Sequence, residues 1–192
     1  MLLMSHSVFA QQTKARYHFG VPDGWRLERT TSPPPFAPKF GFAGIEEIRF
    51  PPGWGVFGKP DYWSVAYLFW LDEGQKVDGE VLQDNLKIYF DGLVQIGGGS
   101  VPHNIPKDKL ILTAAHIQKI KSEPDDKETF SGTIDMLDYM AMIPMRLNVM
   151  AHLKECSAQH HLPLFIEISP KPYADVIWSD LKKMKKEFKC EE

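Results

Sequence analysis

The chain has 192 residues and a formal net charge of −3 at pH 7, and 43% of its residues are hydrophobic. This composition is typical of a globular protein, and the length suits one domain with a substantial core. The negative charge gives no reason to expect a nucleic-acid partner, which normally requires a basic stripe. Past the first dozen residues, no segment approaches the roughly 20 uninterrupted apolar residues of a spanning helix. We therefore expect no integral membrane segment in the mature chain.

The first ten residues resemble the end of a signal peptide. A short apolar run ends with Val8 and Ala10, at the third and first positions before a candidate cleavage site. The run is short for a signal and no basic residue precedes it, so an ordinary N-terminus is the alternative. We interpret residues 1–10 as a signal-peptide remnant and predict an exported protein, either periplasmic or extracellular.

Export changes the interpretation of the two cysteines, Cys156 and Cys190. In an oxidising compartment, one disulfide between them is the simplest interpretation. Such a bond would stabilise the fold by about 4 kcal/mol in a chain-entropy treatment. In the cytoplasm both residues would remain thiols.

Residues 11–44 are predicted to form an extended arm over the surface. Pro22-Asp23-Gly24 is typical of a turn, and Pro33-Pro34-Pro35 requires an extended backbone. Three aromatic residues are expected to anchor this arm to the core: Phe36, Phe40 and Phe42.

Residues 45–192 are predicted to form a single α+β domain. A first strand covers 45–50, and a second covers 62–71, which is dense in aromatic and β-branched residues. The near-continuous apolarity of the second strand indicates that both of its faces are covered or that one lines a cavity. Asp78 is the predicted N-cap of a helix over 80–95 that ends at Gly97.

Four strands and a helix follow, in the element order ββαββββα. The strands are predicted over 110–120, 129–139, 143–153 and 164–168, and the helix over 174–189. Residues 143–153 alternate in polarity, which places their odd-numbered side chains inward. Short connections between consecutive strands predict a mainly antiparallel, curved sheet of about six strands, with both helices packed on one face.

An aromatic region around the second strand is the main candidate binding site. Exposed Trp and Tyr rings bind small molecules and partner proteins, and rings beside a Gly- and Pro-rich loop can shape a pocket. The alternative is that these rings are core and loop anchors. The candidate ligand-binding residues are Trp54, Phe57, Tyr62, Trp63, Tyr67 and Trp70.

A dispersed hydrolase-type site is an alternative function. Glu46 shares the parity of neighbouring apolar residues, and a buried carboxylate there would need a partner such as Arg49 or Arg146. With His116 and Asp135 it would supply acid–base groups, although a structural ion pair is the more common role for such a carboxylate.

A metal-handling protein is the other alternative. Cys156 and His160 are four residues apart and could share a zinc or copper ion, with His152 nearby on a predicted strand. Structural metal sites usually have four ligands in paired spacings, and the sequence contains no second pair. We therefore predict neither a metal nor another cofactor.

Residues Ala37-Pro38-Lys39-Phe40, the run from Gly44 to Trp54, and Tyr62-Trp63-Ser64 form a signature. It resembles a family of exported bacterial proteins of unknown function. The resemblance implies export and a single domain, and it brings no activity, cofactor or catalytic residue. Together, these observations predict an exported, non-enzymatic module that binds a small apolar molecule or a partner protein.

Overall fold

The computed structural model describes residues 17–99, 104–156 and 161–191. It has an α+β fold with a large antiparallel sheet, as predicted, and a small second sheet. The strands are β1 (Tyr17–His18), β2 (Arg26–Ser32), β3 (Gly44–Phe50), β4 (Val65–Leu71), β5 (Ala114–Ile120), β6 (Glu128–Asp138), β7 (Ile143–Leu153), β8 (Leu162–Ser169) and β9 (Lys189–Cys190). Seven of them form the large sheet, in the order β2-β3-β4-β8-β7-β6-β5, and β1 pairs with β9.

The first helix has the ends that the sequence predicted. Helix α1 spans Gly79–Ile96, and the Asp78 side chain caps it by accepting a hydrogen bond from the Val81 amide. Gly97 ends it in the left-handed conformation, with φ of 56°. Helix α2 spans Ile177–Glu187. Within the described residues, neither helix combines the length and apolarity needed to cross a membrane.

The two helices pack on opposite faces of the sheet, which corrects the prediction that both pack on one face. All of β4 is buried, and its two sets of alternating side chains belong to different cores. Tyr67 and Phe69 lie in the α1 core, whereas Leu68 and Trp70 lie in the α2 core. A central strand that is apolar on both faces must be covered on both, so one layer of helices could not bury it.

The segment interpreted as an arm, residues 11–44, contributes a strand to the sheet. β2 pairs with β3 along its whole length and forms one edge, which makes the sheet seven strands wide where six were expected. The chain then folds back over α1, where Phe40 and Phe42 are buried and Phe36 is partly buried, as expected of anchors. Gly92 allows this approach, because a Cβ atom there would collide with the carbonyl oxygen of Phe36.

The predicted disulfide is present between Cys156 and Cys190, whose Cα atoms are 5.8 Å apart. It ties the connection between β7 and β8 to strand β9. The proposed signal remnant at residues 1–10 and the candidate ligand His160 lie outside the described residues.

Candidate functional site

A cavity of about 320 Å³ lies between the C-terminal half of α1 and strands β2, β3 and β4. Alternate residues of the edge strand, including Glu28 and Thr30, form its outer wall, and Leu93 and Ile96 of α1 close the opposite side. Aromatic rings form much of the remaining wall: Phe36, Phe50, Trp54, Tyr67, Tyr89 and Tyr139. The wall is therefore mainly apolar and aromatic, and its charged side chains are Arg26 and Glu28 on the edge strand and Glu46 on β3.

Glu46 is the main polar group in this wall. Its strand parity directs it to the apolar face, as predicted, and it is only 1% exposed. Its Oε1 atom forms no hydrogen bond with any residue that the structure describes. Burial raises the pKa of Glu46 to about 7. A hydrogen bond from Tyr89 lowers this pKa, and the charge of Glu28 raises it. The carboxyl group can therefore be either protonated or ionised near neutral pH.

Trp54 supplies a second unpaired group. Its ring packs 4.7 Å from that of Phe50 and 5.6 Å from that of Trp63, and its Nε1 atom is buried. That indole N–H has no hydrogen-bond acceptor among the described residues. Buried polar atoms are normally paired. The residues that carry this unpaired donor and the unpaired carboxyl oxygen both line the same cavity.

Neighbouring phenols complete the polar part of the wall. Burial raises the pKa values of Tyr67 and Tyr89 well above their usual range, and the nearby Glu46 charge contributes in the same direction. Both side chains therefore remain neutral at physiological pH. They offer hydrogen-bonding hydroxyl groups and ring faces, but no charge.

The structure divides the six aromatic residues that the sequence suggested as a binding site. Trp54 and Tyr67 line the cavity, whereas Trp70 lies on the other face of the sheet, beneath α2. Phe57 is 67% exposed on the Gly- and Pro-rich loop. Strand parity explains the separation of Tyr67 from Trp70, because an odd spacing along a strand puts two side chains on opposite faces.

The remaining two of these residues, Tyr62 and Trp63, anchor the loop that carries Trp54. The Tyr62 hydroxyl donates to Asp138 Oδ2 at 2.7 Å, and the Trp63 indole donates to Oδ1 at 3.1 Å. The Trp63 amide also donates to the carbonyl oxygen of Trp54 at 3.0 Å. Asp138 therefore holds this loop in place at the cavity.

The three residues of the hydrolase interpretation do not share a site. Glu46 lies on β3, near one edge of the sheet. His116 lies in a separate depression on β5, which forms the opposite edge. Asp135 forms two hydrogen bonds with Arg146 on the adjacent strand. Neither predicted arginine partner reaches Glu46, since Arg49 instead pairs with Glu47 on the opposite face.

The metal interpretation loses one of its ligands, because the sulfur of Cys156 is bonded to Cys190. A different group of metal-ligand types does meet beneath α2: Glu123, Asp126 and His152 place one ligand atom each within 4.8 Å of one another. The Lys185 ammonium lies among them, 2.8 Å from Glu123 Oε2 and 3.5 Å from Asp126 Oδ2. A cationic side chain thus already fills this position.

Sequence reasoning missed this ionic cluster of Glu123, Asp126, His152, Lys185 and Glu167. His152 was expected to face outward, but it and Met150 are buried because α2 covers that face of β7. Burial lowers the pKa of His152, but its contacts with Asp126 and Glu167 outweigh this and raise it overall. Within this cluster the buried charges compensate one another.

No family model matches this chain, and no curated protein or solved structure matches it significantly. The function is therefore inferred from the geometry of the cavity.

Proposed function

We propose that the protein is a non-enzymatic binding module that holds a small, largely apolar molecule in the cavity between α1 and the edge of the sheet. The observation that carries this proposal is the pair of buried, unpaired polar atoms, Glu46 Oε1 and Trp54 Nε1, in one cavity wall. Small-molecule sites combine mainly apolar walls with a few convergent polar groups, in volumes of roughly 300–1,000 Å³. The cavity of about 320 Å³ lies at the lower end of that range.

The composition of the wall favours binding over hydrolysis. A hydrolytic site needs a nucleophile or an activated water with a base in hydrogen-bond reach. Glu46 is accompanied by rings and phenols, and no histidine or cysteine is among the described residues that line the cavity. A partner protein would need a larger surface than a cavity of about 320 Å³ provides.

The proposal is tested by blocking the cavity from its edge strand. Thr30 lines the cavity beside Glu46, its cross-strand partner on β3, and an indole placed there by Thr30→Trp would occupy part of the cavity. Thr31→Trp adds the same bulk at the next residue, whose side chain points to the other face. The β-strand context accepts an aromatic residue at either position.

The probe is prodan, a neutral naphthalene ketone whose emission shifts to the blue in an apolar site. We expect saturable binding to the wild-type chain, an unchanged isotherm for Thr31→Trp, and at least about tenfold weaker binding for Thr30→Trp. Equal binding by both variants would show that the probe is held elsewhere and would contradict the proposal. So would the absence of a saturable blue shift with the wild-type chain.

We also propose that the protein works outside the reducing cytoplasm, in the periplasm or the extracellular space. The Cys156–Cys190 bond supports this, since disulfides persist mainly in oxidising compartments. The test is the intact mass of the protein from its native host, before and after reduction. A gain of two hydrogens supports export, and a native chain already carrying two thiols contradicts it.

A further inference from the structure

The cavity wall contains a carboxyl group that no cation of the protein compensates. Among the described residues, no basic side chain forms an ion pair with Glu46. The arginines nearest in the sheet are engaged elsewhere: Arg26 pairs with Glu28, and Arg29 and Arg49 both pair with Glu47. A buried carboxylate without a counter-ion is destabilising. The described part of the protein supplies no positive charge that pairs with Glu46.

Aromatic rings surround this carboxyl group. Six rings line the cavity, and the electron-rich faces of Trp and Tyr rings attract organic cations. The wall already holds one such contact, because the Arg26 guanidinium lies 4.4 Å from the centroid of the Phe50 ring. A buried carboxyl group beside several rings is the combination that recognises an ammonium group with an apolar body.

We propose that the ligand of this cavity is an organic cation, an amine or a quaternary ammonium compound, with Glu46 as its counter-ion and the Trp54, Tyr67 and Tyr89 rings around its charged end. This inference rests on the proposed small-molecule function of the same cavity. The apolar remainder of the ligand would contact Ile48 and the α1 side chains of the wall.

Proton linkage distinguishes a cation from a neutral ligand. A cation binds the ionised carboxylate, so its affinity rises as pH increases through about 7, the pKa of Glu46, and then levels off. A neutral ligand that accepts a hydrogen bond from the protonated Glu46 carboxyl group has the opposite pH dependence, and its affinity falls as pH increases through the same range. The other charged or titratable groups that line this cavity are Arg26, Glu28, Tyr67, Tyr89 and Tyr139. Burial keeps all three tyrosines neutral by raising their pKa values, so Glu46 dominates this titration.

The experiment compares benzyltrimethylammonium with neopentylbenzene, its uncharged carbon isostere, by calorimetric titration of the full chain. At about pH 8.5 we expect the cation to bind at least about tenfold more tightly than the isostere, and the difference to shrink at about pH 5.5. Glu46→Gln is expected to remove the preference for the cation but to retain the affinity for the isostere. Asp84→Asn, which removes an exposed carboxylate of α1 that is not part of the cavity wall, is expected to change the preference for the cation by less than about threefold.

The outcomes separate the two proposals. Equal affinity of the wild-type chain for both compounds, or a cation preference that Glu46→Gln leaves intact, would overturn the inference while the binding cavity stands. Binding of neither compound by the wild-type chain would contradict both proposals. Should Glu46→Gln fail to fold, the pH dependence of the wild-type chain decides: a cation affinity that does not rise between the two pH values overturns the inference.

Discussion

His152 Nδ1 lies 2.6 Å from Asp126 Oδ2, and neither side chain is exposed to solvent. The pair joins β7 to the turn before β6, and Lys185 of α2 reaches the same carboxylate. Helix α2 is therefore held to the sheet by buried charges as well as by its apolar stripe. Such clusters are stabilising only while every member keeps its partners.

The first prediction concerns Asp126. Asp126→Asn removes the negative charge between His152 and Lys185, so the buried Lys185 ammonium loses compensation and His152 loses its carboxylate partner. We expect the free energy of unfolding to fall by about 3 kcal/mol, measured by urea denaturation at neutral pH. Asp125→Asn, at the adjacent exposed residue, is the control and should change it by less than about 0.5 kcal/mol. Similar values for the two variants would contradict a central role for Asp126.

The second prediction concerns the pH dependence of stability at Glu46. Its pKa is raised from 4.5 in the unfolded chain to about 7 in the fold, mainly by burial. The folded state therefore holds a proton that the unfolded state has lost, and stability falls as pH rises from 4.5 to 7. Glu46→Gln removes this loss, so the variant should gain up to roughly 3 kcal/mol over wild type above pH 7.

The measurement for Glu46 is the difference between the unfolding free energies of variant and wild type across this pH range. The difference should increase from about pH 4.5 to about pH 7 and then stay level. A flat curve for Glu46→Gln would mean that the carboxyl group is solvated in the folded protein.

The third prediction concerns Asp138, which accepts hydrogen bonds from Tyr62, Trp63 and the amides of Met140 and Ala141. Asp138→Asn replaces one acceptor oxygen with a donor and leaves a buried group unpaired. We expect the free energy of unfolding to fall by about 2 to 3 kcal/mol. Prodan should also bind more weakly, because the loop that carries Trp54 loses hydrogen bonds that hold it at the cavity.

The matched control for Asp138 is Asp135→Asn on the same strand. Its carboxylate pairs with a largely exposed Arg146, and such pairs contribute about 0 to 1 kcal/mol. Chemical denaturation compares the two variants, and the prediction is wrong if Asp138→Asn is no more destabilised than Asp135→Asn.

The fourth prediction concerns the disulfide. Cys156 and Cys190 are separated by 34 residues. In the chain-entropy treatment, removing a disulfide that closes a loop of this size lowers the free energy of unfolding by about 4 kcal/mol. We expect Cys156→Ser/Cys190→Ser to unfold at lower urea concentration, with amide protons of β1 and β9 exchanging first. Reduced wild-type protein should behave like the double variant. An unchanged unfolding midpoint would contradict the prediction.

Local signals in the sequence were sufficient for several elements. Asp78 and Gly97 mark the ends of α1 because capping depends on a few neighbouring residues. Glu46 was placed on its correct face by parity alone, which the strand geometry makes reliable. The Cys156–Cys190 bond was predicted from the presence of two cysteines together with the expected export.

Features that depend on distant contacts could not be predicted in this way. Strand β2 has the sequence Arg-Leu-Glu-Arg-Thr-Thr-Ser, and its mostly polar side chains suit a sheet edge as well as a surface arm. Lys185 lies among other lysines in the sequence, such as Lys182 and Lys183. Only its burial and its contact with His152 of β7 distinguish it from them. That Glu46 lacks a counter-ion also depends on the pairing of Glu47 with Arg29 of β2 and with Arg49 of its own strand.

Strand β4 separates the cavity from the core beneath α2. Tyr67 lines the cavity on one side of it, and Leu68 and Trp70 support α2 on the other. The compartment that would accept a ligand and the apolar core that packs against α2 thus lie on the two faces of one strand. A displacement of β4 would therefore alter both the cavity and the packing of α2.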